Sequence, residues 1–318
     1  MTRWGLPLLL LSACTSPPTP PPPPYAFPQK PLCSGTSAGT PTVLGALGDA
    51  RLIEVSGVVP SPTTPDLLWV HNDSGDDAAI YAIRRDGSLR GRVRLPVQVT
   101  DVEDIAVATC PDKSGPCLFL ADTGNNAGDR ADAAIYIFPE PVPRADGTFG
   151  DDAVASSVQR IDASSTAGLP AGIDIEAMAA LPDGETILLI EKVDADVARI
   201  FALTAPLSSS VASEVGSVRT ESPAGIRLAR MVTSATVHPG GLALLVRTYT
   251  GIFESRFASL DDIKNPGDLS MTTVTFGPFS EPQGEAVSYD EDGEGIISIS
   301  EAKGGEAKDV DVNLLPCQ

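Results

Sequence analysis

Basic, histidine and aromatic residues are all scarce in this chain of 318 residues. It has 22 Lys and Arg against 42 Asp and Glu, a net charge of −20, and only 2 His. Nucleic-acid binding requires a basic surface that neutralises phosphates, so the composition argues against that function. The acidic excess suits a protein that is soluble outside the cell or that binds cations.

Long apolar runs and common catalytic motifs are also missing. No apolar run approaches the ~20 residues of a membrane-spanning helix. The sequence contains no Gly-x-Ser-x-Gly, no Gly-x-x-x-x-Gly-Lys-Ser/Thr, no Gly-x-Gly-x-x-Gly and no His-Glu-x-x-His. These absences argue against serine hydrolases of the α/β type, P-loop enzymes, dinucleotide-binding enzymes and zinc proteases of that motif.

The first 13 residues have the features of a secretory signal. Arg3 supplies one positive charge, Trp4–Leu11 is almost wholly apolar, and small residues precede Cys14. Leu11–Cys14 resembles the bacterial lipobox, which implies that the Cys14 thiol receives a diacylglycerol and anchors the chain in a membrane. In lipoproteins of this type a residue such as Thr15 after the cysteine usually directs sorting to the outer membrane. The alternative is a plain signal peptide with an incidental cysteine.

A proline-rich segment follows the anchor. Ser16–Pro24 reads SPPTPPPPP, which cannot form a helix or a sheet ladder and favours extended polyproline II. Such a segment is a semi-rigid spacer. The chain is therefore predicted to comprise a lipoprotein signal peptide (residues 1–13), a lipidated cysteine with a proline-rich tether (residues 14–32) and a folded domain (residues 33–318).

Four cysteines remain once Cys14 is assigned to lipid, and an even number in an oxidising compartment predicts two disulfides. Cys110 and Cys117 flank a turn-rich loop, so we predict that they pair. Cys33 and Cys317 would then join the two ends of the domain. Free thiols are the alternative, whereas a metal site is disfavoured by the lack of Cys-x-x-Cys.

Short β-type runs recur along the domain, with almost no helical periodicity. The most apolar runs are Leu67–Val70, Cys117–Leu120, Thr186–Ile190, Leu242–Val246 and Gly295–Ile299. Each follows a run of smaller residues, namely Val55–Val59, Glu103–Val107, Ile175–Ala179, Thr233–Val237 and Gly284–Ser288. A third run appears in four units, at Ile80–Ile83, Ile135–Phe138, Arg199–Leu203 and Gly251–Glu254.

A fourth, weaker run ends most units, for example Gly91–Leu95. This four-stranded unit predicts an all-β fold, a β-propeller. The steps from Val55 to Glu103, Ile175, Ser234 and Gly284 are 48, 72, 59 and 50 residues, and a repeat of about 40–50 residues is typical of propeller blades. We predict five blades, with six as the alternative. Thr42–Leu47 is predicted to form the outer strand of the last blade and so to close the ring, where a Cys33–Cys317 bridge would secure it.

Acidic and polar residues cluster where the first strands begin and the second strands end. Because these strands are antiparallel, their side chains should meet at one mouth of the central channel. Hard oxygen ligands in this number suit Ca²⁺, and the predicted cation ligands are Glu54, Glu103, Asp104, Asp122, Glu176 and Glu285. The residues predicted to bind a further ligand are Asn72, Lys192, Arg247, Tyr249 and Glu301. The alternative is structural, with acids accepting backbone N–H groups and Asp-Gly and Asn-rich segments forming ordinary turns.

Two residues are candidates for catalysis. His71 and Asp73 would lie side by side at the mouth, where either is a candidate general base. The alternative for His71 is a hydrogen-bonded residue in a turn. His238 precedes a turn at the far end of a first strand and is expected to face solvent.

Several motifs together resemble a family of secreted bacterial β-propeller lipoproteins that has no settled activity. They cover residues 50–302 and comprise Trp69–Asp76, Val102–Ala106, Leu120–Asn126, Ile175–Ala177, Arg247–Tyr249 and Glu281–Ala286. The resemblance implies the propeller fold. Asn125 stands where that pattern usually has aspartate, which removes one potential ligand charge. A more distant likeness is to the calcium-dependent gluconolactonase, paraoxonase and phytase-like propellers.

Two functional hypotheses follow. The first is an envelope-anchored propeller that binds an unknown small-molecule or protein ligand, or serves as a scaffold, with a cation at the channel mouth. The second is a Ca²⁺-dependent hydrolase of a lactone or phosphoester, with His71 or Asp73 as the base.

Overall fold

The computed structural model describes residue 1 and residues 40–220, 226–276, 281–302 and 304–316. The predictions for Cys14, the proline-rich tether and the Cys33–Cys317 bridge lie outside these ranges. None of the helices in the described part of the chain has the length and apolarity needed to traverse a bilayer.

The described residues form five sheets arranged as the blades of a propeller, and these sheets are antiparallel apart from one added parallel strand in blade 3. After the edge strand β1 (Thr42–Ala46), blade 1 comprises β2 (Val55–Pro60), β3 (Leu67–Asn72), β4 (Ala79–Arg84) and β5 (Leu89–Arg94). Blade 2 comprises β6 (Asp104–Thr109), β7 (Pro116–Asp122), β8 (Ala134–Pro139) and β9 (Gln159–Asp162). The five-blade prediction is confirmed, and the six-blade alternative is wrong for the described residues.

The remaining blades contain two departures from the simple repeat. Blade 3 has β10 (Ile175–Ala180), β11 (Thr186–Glu191), β12 (Ala198–Thr204) and β13 (Ser213–Arg219), and blade 4 begins with β14 (Val232–Val237), β15 (Ala243–Thr248) and β16 (Gly251–Arg256). After helix α1 (Leu260–Lys264), β17 (Gly267–Ser270) returns to blade 3 as a fifth, parallel strand, and β18 (Thr272–Phe276) completes blade 4. Blade 5 contains β19 (Gln283–Tyr289), β20 (Gly295–Glu301) and β21 (Asp311–Pro316).

The amino-terminal strand closes the ring, as predicted. β1 pairs antiparallel with β21, with Thr42 opposite Leu314 and Ala46 opposite Asp311. It is therefore the outer strand of blade 5. The inner strands β2, β6, β10, β14 and β19 contact one another in sequence and back to the first, and surround the central channel.

Apolar packing between blades explains the continuous apolar runs. Five clusters of buried side chains fill the five gaps between neighbouring blades. Because each middle strand packs against a blade on both faces, every residue of β3, β11 and β15 is buried. These strands thus read as apolar runs without alternation.

The predicted short disulfide is present. Cys110 and Cys117 are bonded across the β6–β7 hairpin, and both are buried. This bridge lies at the end of blade 2 away from the residues described below.

Candidate functional site: the acidic mouth

A β-bulge lies near the start of four of the five inner strands, namely β2, β10, β14 and β19. In β10, Ile175 pairs with Glu191 and Ala177 with Ile190, so Glu176 is the extra residue. The equivalent residues of blades 1, 4 and 5 are Ser56, Thr233 and Glu285. Glu103 is the equivalent residue of blade 2. Its N–H donates to the Ala121 carbonyl, while the next residue, Asp104, is the one paired with Ala121. Bulges re-aim side chains, and these five positions bring one residue from each blade to the same end of the channel.

These five residues divide into two kinds. Ser56 donates a 2.7 Å hydrogen bond to the carbonyl of Glu103, and Thr233 donates to the carbonyls of Gly284 and Glu285. These hydroxyls therefore tie one blade to the next. The other three residues are glutamates with buried carboxylates.

Five carboxylates gather in two adjoining groups. The first carboxylate group is Asp73, Asp101 and Glu103, and the second is Glu103, Asp174 and Glu176. In each group the ligand oxygens lie within 4.8 Å of one another. Glu103 belongs to both, so the two groups are continuous. This end of the channel is called the acidic mouth below.

Two loops hold the outer members of these groups in place. Asp122 Oδ1 accepts the N–H groups of Thr100 and Asp101 at 3.0 and 2.9 Å and pairs with Arg130 at 2.6 Å. Asp174 accepts the backbone N–H of Asn125 at 2.6 Å. Asp122 and the Asn125 backbone thus position ligand residues.

Burial leaves the first carboxylate group short of partners. Glu103 is 1% exposed, and among the described residues neither its Oε1 nor Asp73 Oδ1 has a hydrogen-bond partner. Burial, with Glu176, Asp73 and Asp101 nearby, raises the pKa of Glu103 well above its ordinary value. Burial and the Asp101 carboxyl raise the pKa of Asp73 to about 8. A proton, or a cation in its place, is therefore needed to neutralise this group.

The second carboxylate group already contains a cation. The ammonium of Lys192, 9% exposed, forms an ion pair with Glu176 and lies 4.0 Å from Asp174 Oδ2. Although burial opposes the charge, Glu176 raises the pKa of Lys192 above its ordinary value. Burial raises the pKa of Glu176 to about 7 against the opposing effect of Lys192.

Gly124 provides the room for the first group. A Cβ atom at this position would overlap Glu103 Oε1 and lie 2.5 Å from Asp101 Oδ2. The two carboxylates thus converge in a space that any other residue would fill. Unpartnered buried oxygens, hard carboxylate donors and this space fit a divalent ion such as Ca²⁺.

The six predicted cation ligands lie in different places. Glu103 and Glu176 belong to the groups, whereas Glu54 belongs to neither. Glu285 is buried close to Glu176, with Oε2 unpartnered among the described residues and Oε1 accepting from Gln283 at 2.9 Å. Asp122 positions the Asp101 loop as described above.

Asp104 was predicted to be a cation ligand, but its carboxylate instead accepts hydrogen bonds from the backbone of three blades. Its carboxylate accepts the N–H groups of Ile105, Met178 and Ala235 at 2.9, 2.9 and 3.0 Å, and the Ser234 hydroxyl at 3.2 Å. It therefore joins blades 2, 3 and 4 through bonds that leave it outside both carboxylate groups. Strand alternation explains this, because adjacent residues 103 and 104 point in different directions.

The residues predicted to bind a further ligand also lie in different surroundings. Lys192 lies in the second group, and the Tyr249 ring is 6.0 Å from its Nζ. The Asn72 side-chain amide donates hydrogen bonds to the Arg51 carbonyl at 2.8 Å and to Asp76 Oδ2 at 3.0 Å, and so stabilises the adjoining loops. Glu301 accepts from the Gln283 amide.

Arg247 is committed to a buried ion pair. Its side chain is 2% exposed and pairs with Glu281, which is 4% exposed. The guanidinium also donates to the Ala286 carbonyl at 3.2 Å and to the Ser298 hydroxyl. These contacts join blades 4 and 5, and Arg247 is absent from both carboxylate groups.

Both histidines are buried. His71 lies within β3 rather than in a turn; its Nδ1 contacts the Asn72 carbonyl at 2.9 Å and its ring lies against Gly57. Burial lowers the pKa of His71 to about 4, and its Nε2 is buried without a hydrogen-bond partner among the described residues. The expectation that His238 faces solvent is wrong, because its Nδ1 accepts the Gly240 N–H at 2.9 Å and its ring packs edge-on against Tyr289.

Asp101 and Asp174 were not among the predicted cation ligands. Asp101 lies three residues before β6 and Asp174 immediately before β10, in the acidic segments Asp101–Asp104 and Asp174–Glu176. The available signal was that each segment carries a second acid two residues before its glutamate.

Comparison with known proteins supports the fold and indicates no function. No protein-family model and no curated protein matches the chain, while 577 chains of solved structures match it. One is a gluconolactonase from Xanthomonas campestris, with a TM-score of 0.50 and 14% identity over 96% of this chain and 100% of that chain. The chain therefore shares its fold with this protein at low sequence identity.

Proposed function

We propose that this protein is a divalent-cation-binding propeller that recognises an oxygen-rich or anionic ligand at its acidic mouth. The observation that carries the proposal is Glu103: a residue 1% exposed, with an unpartnered carboxylate oxygen and, in each of its two groups, two further carboxylates within 4.8 Å. Leaving such charge buried and unneutralised is costly. A bound cation removes that cost.

The donor set favours a hard cation. Both carboxylate groups contain Asp and Glu only, without His or Cys among the described residues. Carboxylate oxygens suit Ca²⁺, Mg²⁺ or Mn²⁺, whereas Zn²⁺ and Cu²⁺ prefer nitrogen or sulfur ligands. The clustered carboxylates come from loops and strand starts of different blades, which favours Ca²⁺ because this ion tolerates irregular geometry.

The surroundings of the first group favour an anionic or polyhydroxylated ligand. Asp73 and Asp101 are only partly buried, so the group is reached from the mouth. Lys192 supplies a positive charge in the adjoining second carboxylate group. Tyr249, also partly buried, places an aromatic ring beside that ammonium. A ligand whose oxygens complete the cation's coordination would meet both.

Attachment to the cell envelope through Cys14 is part of the proposal. The lipobox resemblance and the proline-rich tether support it. β1 is antiparallel to β21, so Thr42 lies at the end of blade 5 away from the acidic mouth.

Hydrolysis of a lactone or phosphoester is the second candidate function. The favouring observation is the Asp73–Asp101 pair, because a carboxyl with a pKa of about 8 beside another carboxyl is suited to proton transfer near neutral pH. A panel of lactones and phosphoesters would test it on wild-type protein, Asp73→Asn and Glu176→Gln. Turnover by the wild-type protein that is lost in Asp73→Asn at saturating Ca²⁺ would support hydrolysis. No turnover across the panel would leave ligand binding as the function.

Elemental analysis of the full-length chain tests the cation proposal. After dialysis against Ca²⁺ and removal of free ion, we expect one equivalent to remain, and Ca²⁺ at a hundredfold excess over Kd to stabilise the fold by about 2.7 kcal/mol. No retained cation and an unchanged Tm with Ca²⁺, Mg²⁺ and Mn²⁺ would refute the proposal.

A further inference from the structure

Two adjoining cation positions share Glu103, but only one contains a resident positive charge. The second carboxylate group meets the same distance criterion as the first, with ligand oxygens within 4.8 Å. The Lys192 ammonium lies inside it, paired with Glu176 and 4.0 Å from Asp174. No Lys or Arg ion pair is formed by any member of the first group among the described residues.

The burial of Lys192 shows that it is more than a surface counter-ion. Its side chain is 9% exposed and that of Glu176 is 3% exposed. An ammonium loses favourable hydration at such a place unless carboxylates replace it. Lys192 therefore neutralises the second group permanently, at the point where a second ion would have to bind.

Glu103 is the observation that points to ions rather than to a closed salt-bridge network. It contributes an oxygen to both groups, yet its Oε1 has no hydrogen-bond partner among the described residues. If Lys192 satisfied the whole mouth, this buried oxygen would not remain unpartnered. Its position between the groups is that of a carboxylate able to bridge two cations.

We propose that Lys192 stands in for a second divalent ion, so that the propeller binds one cation and presents an ion and an ammonium side by side. Lys192 is then the residue that sets metal stoichiometry. This inference rests on the cation site proposed above and extends it. Removal of the ammonium, with retention of the side-chain volume, frees the second position for a divalent ion.

Lys192→Met and Lys192→Arg, made in the full-length chain, test the inference. Mn²⁺ is the probe, because binding is counted by calorimetry and two Mn²⁺ ions bridged by one carboxylate give an exchange-coupled electron paramagnetic resonance spectrum. We expect one Mn²⁺ in wild type and in Lys192→Arg. In Lys192→Met we expect two, with the coupled spectrum.

The outcomes separate the two proposals. One Mn²⁺ in both wild type and Lys192→Met overturns the stand-in role and leaves the first site intact. None in wild type and one in Lys192→Met overturns the cation proposal for the natural protein but supports the stand-in role, whereas none in either overturns both. If Lys192→Met fails to fold without ions, Lys192→Gln, which keeps a polar head group, provides the same count, and failure to refold either variant with Mn²⁺ also counts against the inference.

Discussion

Gly124 lies directly against the carboxylate of Glu103. A Cβ atom on residue 124 would overlap Glu103 Oε1 and lie 2.5 Å from Asp101 Oδ2. The convergence of these two carboxylates therefore depends on the absence of a side chain in a loop of the same blade. This relationship leads to the first prediction.

Gly124→Ala should displace both carboxylates and weaken Ca²⁺ binding at least tenfold, or about 1.4 kcal/mol. Isothermal titration measures the change. Gly115→Ala is the matched control, because no atom lies within 4 Å of a Cβ at that position. Equal affinities in the two variants would show that the first carboxylate group does not hold the ion.

The pKa of Asp73 predicts how stability depends on pH. In the cation-free folded state its pKa is about 8, against an ordinary value of 3.8. Between these values the folded state binds more protons than the unfolded state, so the free energy of unfolding should fall as pH rises. Denaturant unfolding in a chelator at pH 5 and pH 8 measures this, and Asp73→Asn should flatten the dependence. A decrease of the same size in the variant would exclude Asp73 as its source.

Cation binding should show the reverse trend with pH. A divalent ion must displace the proton from Asp73, so Ca²⁺ affinity should rise between pH 6 and 8 with proton release. Calorimetry in buffers of different ionisation enthalpy counts the protons. An affinity that is constant across this range, without proton release, would contradict the assignment of Asp73 as a ligand.

Asp104 should contribute to stability and leave the cation stoichiometry unchanged. Asp104→Ala leaves the N–H groups of Met178 and Ala235 without their acceptor at the junction of three blades. A loss of about 2–4 kcal/mol is expected from unsatisfied buried donors. Asp151→Ala, at an exposed position, is the control. Loss of the bound ion in a folded Asp104→Ala protein would restore Asp104 to the cation ligands.

Arg247 and Glu281 should behave as a buried ion pair. Arg247→Met leaves the Glu281 carboxylate without its charge partner, which typically costs about 3–5 kcal/mol. The double variant Arg247→Met with Glu281→Gln should recover part of this loss, as measured by urea unfolding in a double-mutant cycle. Additive losses would show that the two side chains are not coupled.

The blade pattern could be predicted from the sequence because it depends on local signals. Runs of apolar residues mark strands buried on both faces, and small residues mark the strands around the channel. The closing strand β1 was predictable because blade 5 lacked an outer strand. The pairing of β17 with blade 3 was not, since Gly267–Ser270 carries no apolar pattern and depends on a partner distant in sequence.

The site was predictable in location and less so in membership. Acids at strand starts indicate the acidic mouth, but a bulge shifts register by one residue and decides which acid points inward. Glu103 and Asp104 are adjacent, yet one lies among the carboxylates and the other bonds to backbone N–H groups. His71 was predicted to lie at the mouth, but its ring is buried in β3. That burial depends on packing against the neighbouring blade, which the local sequence does not show.

Calcium titration of Glu103→Gln tests the central claim most directly. Glu54→Gln is the control, because Glu54 also precedes an inner strand but lies outside both carboxylate groups. Wild type and Glu54→Gln should bind one Ca²⁺ with the same affinity, whereas folded Glu103→Gln should lose at least a hundredfold, about 2.7 kcal/mol. Equal binding by Glu103→Gln and Glu54→Gln would contradict the claim that the buried, shared carboxylate of Glu103 holds a cation.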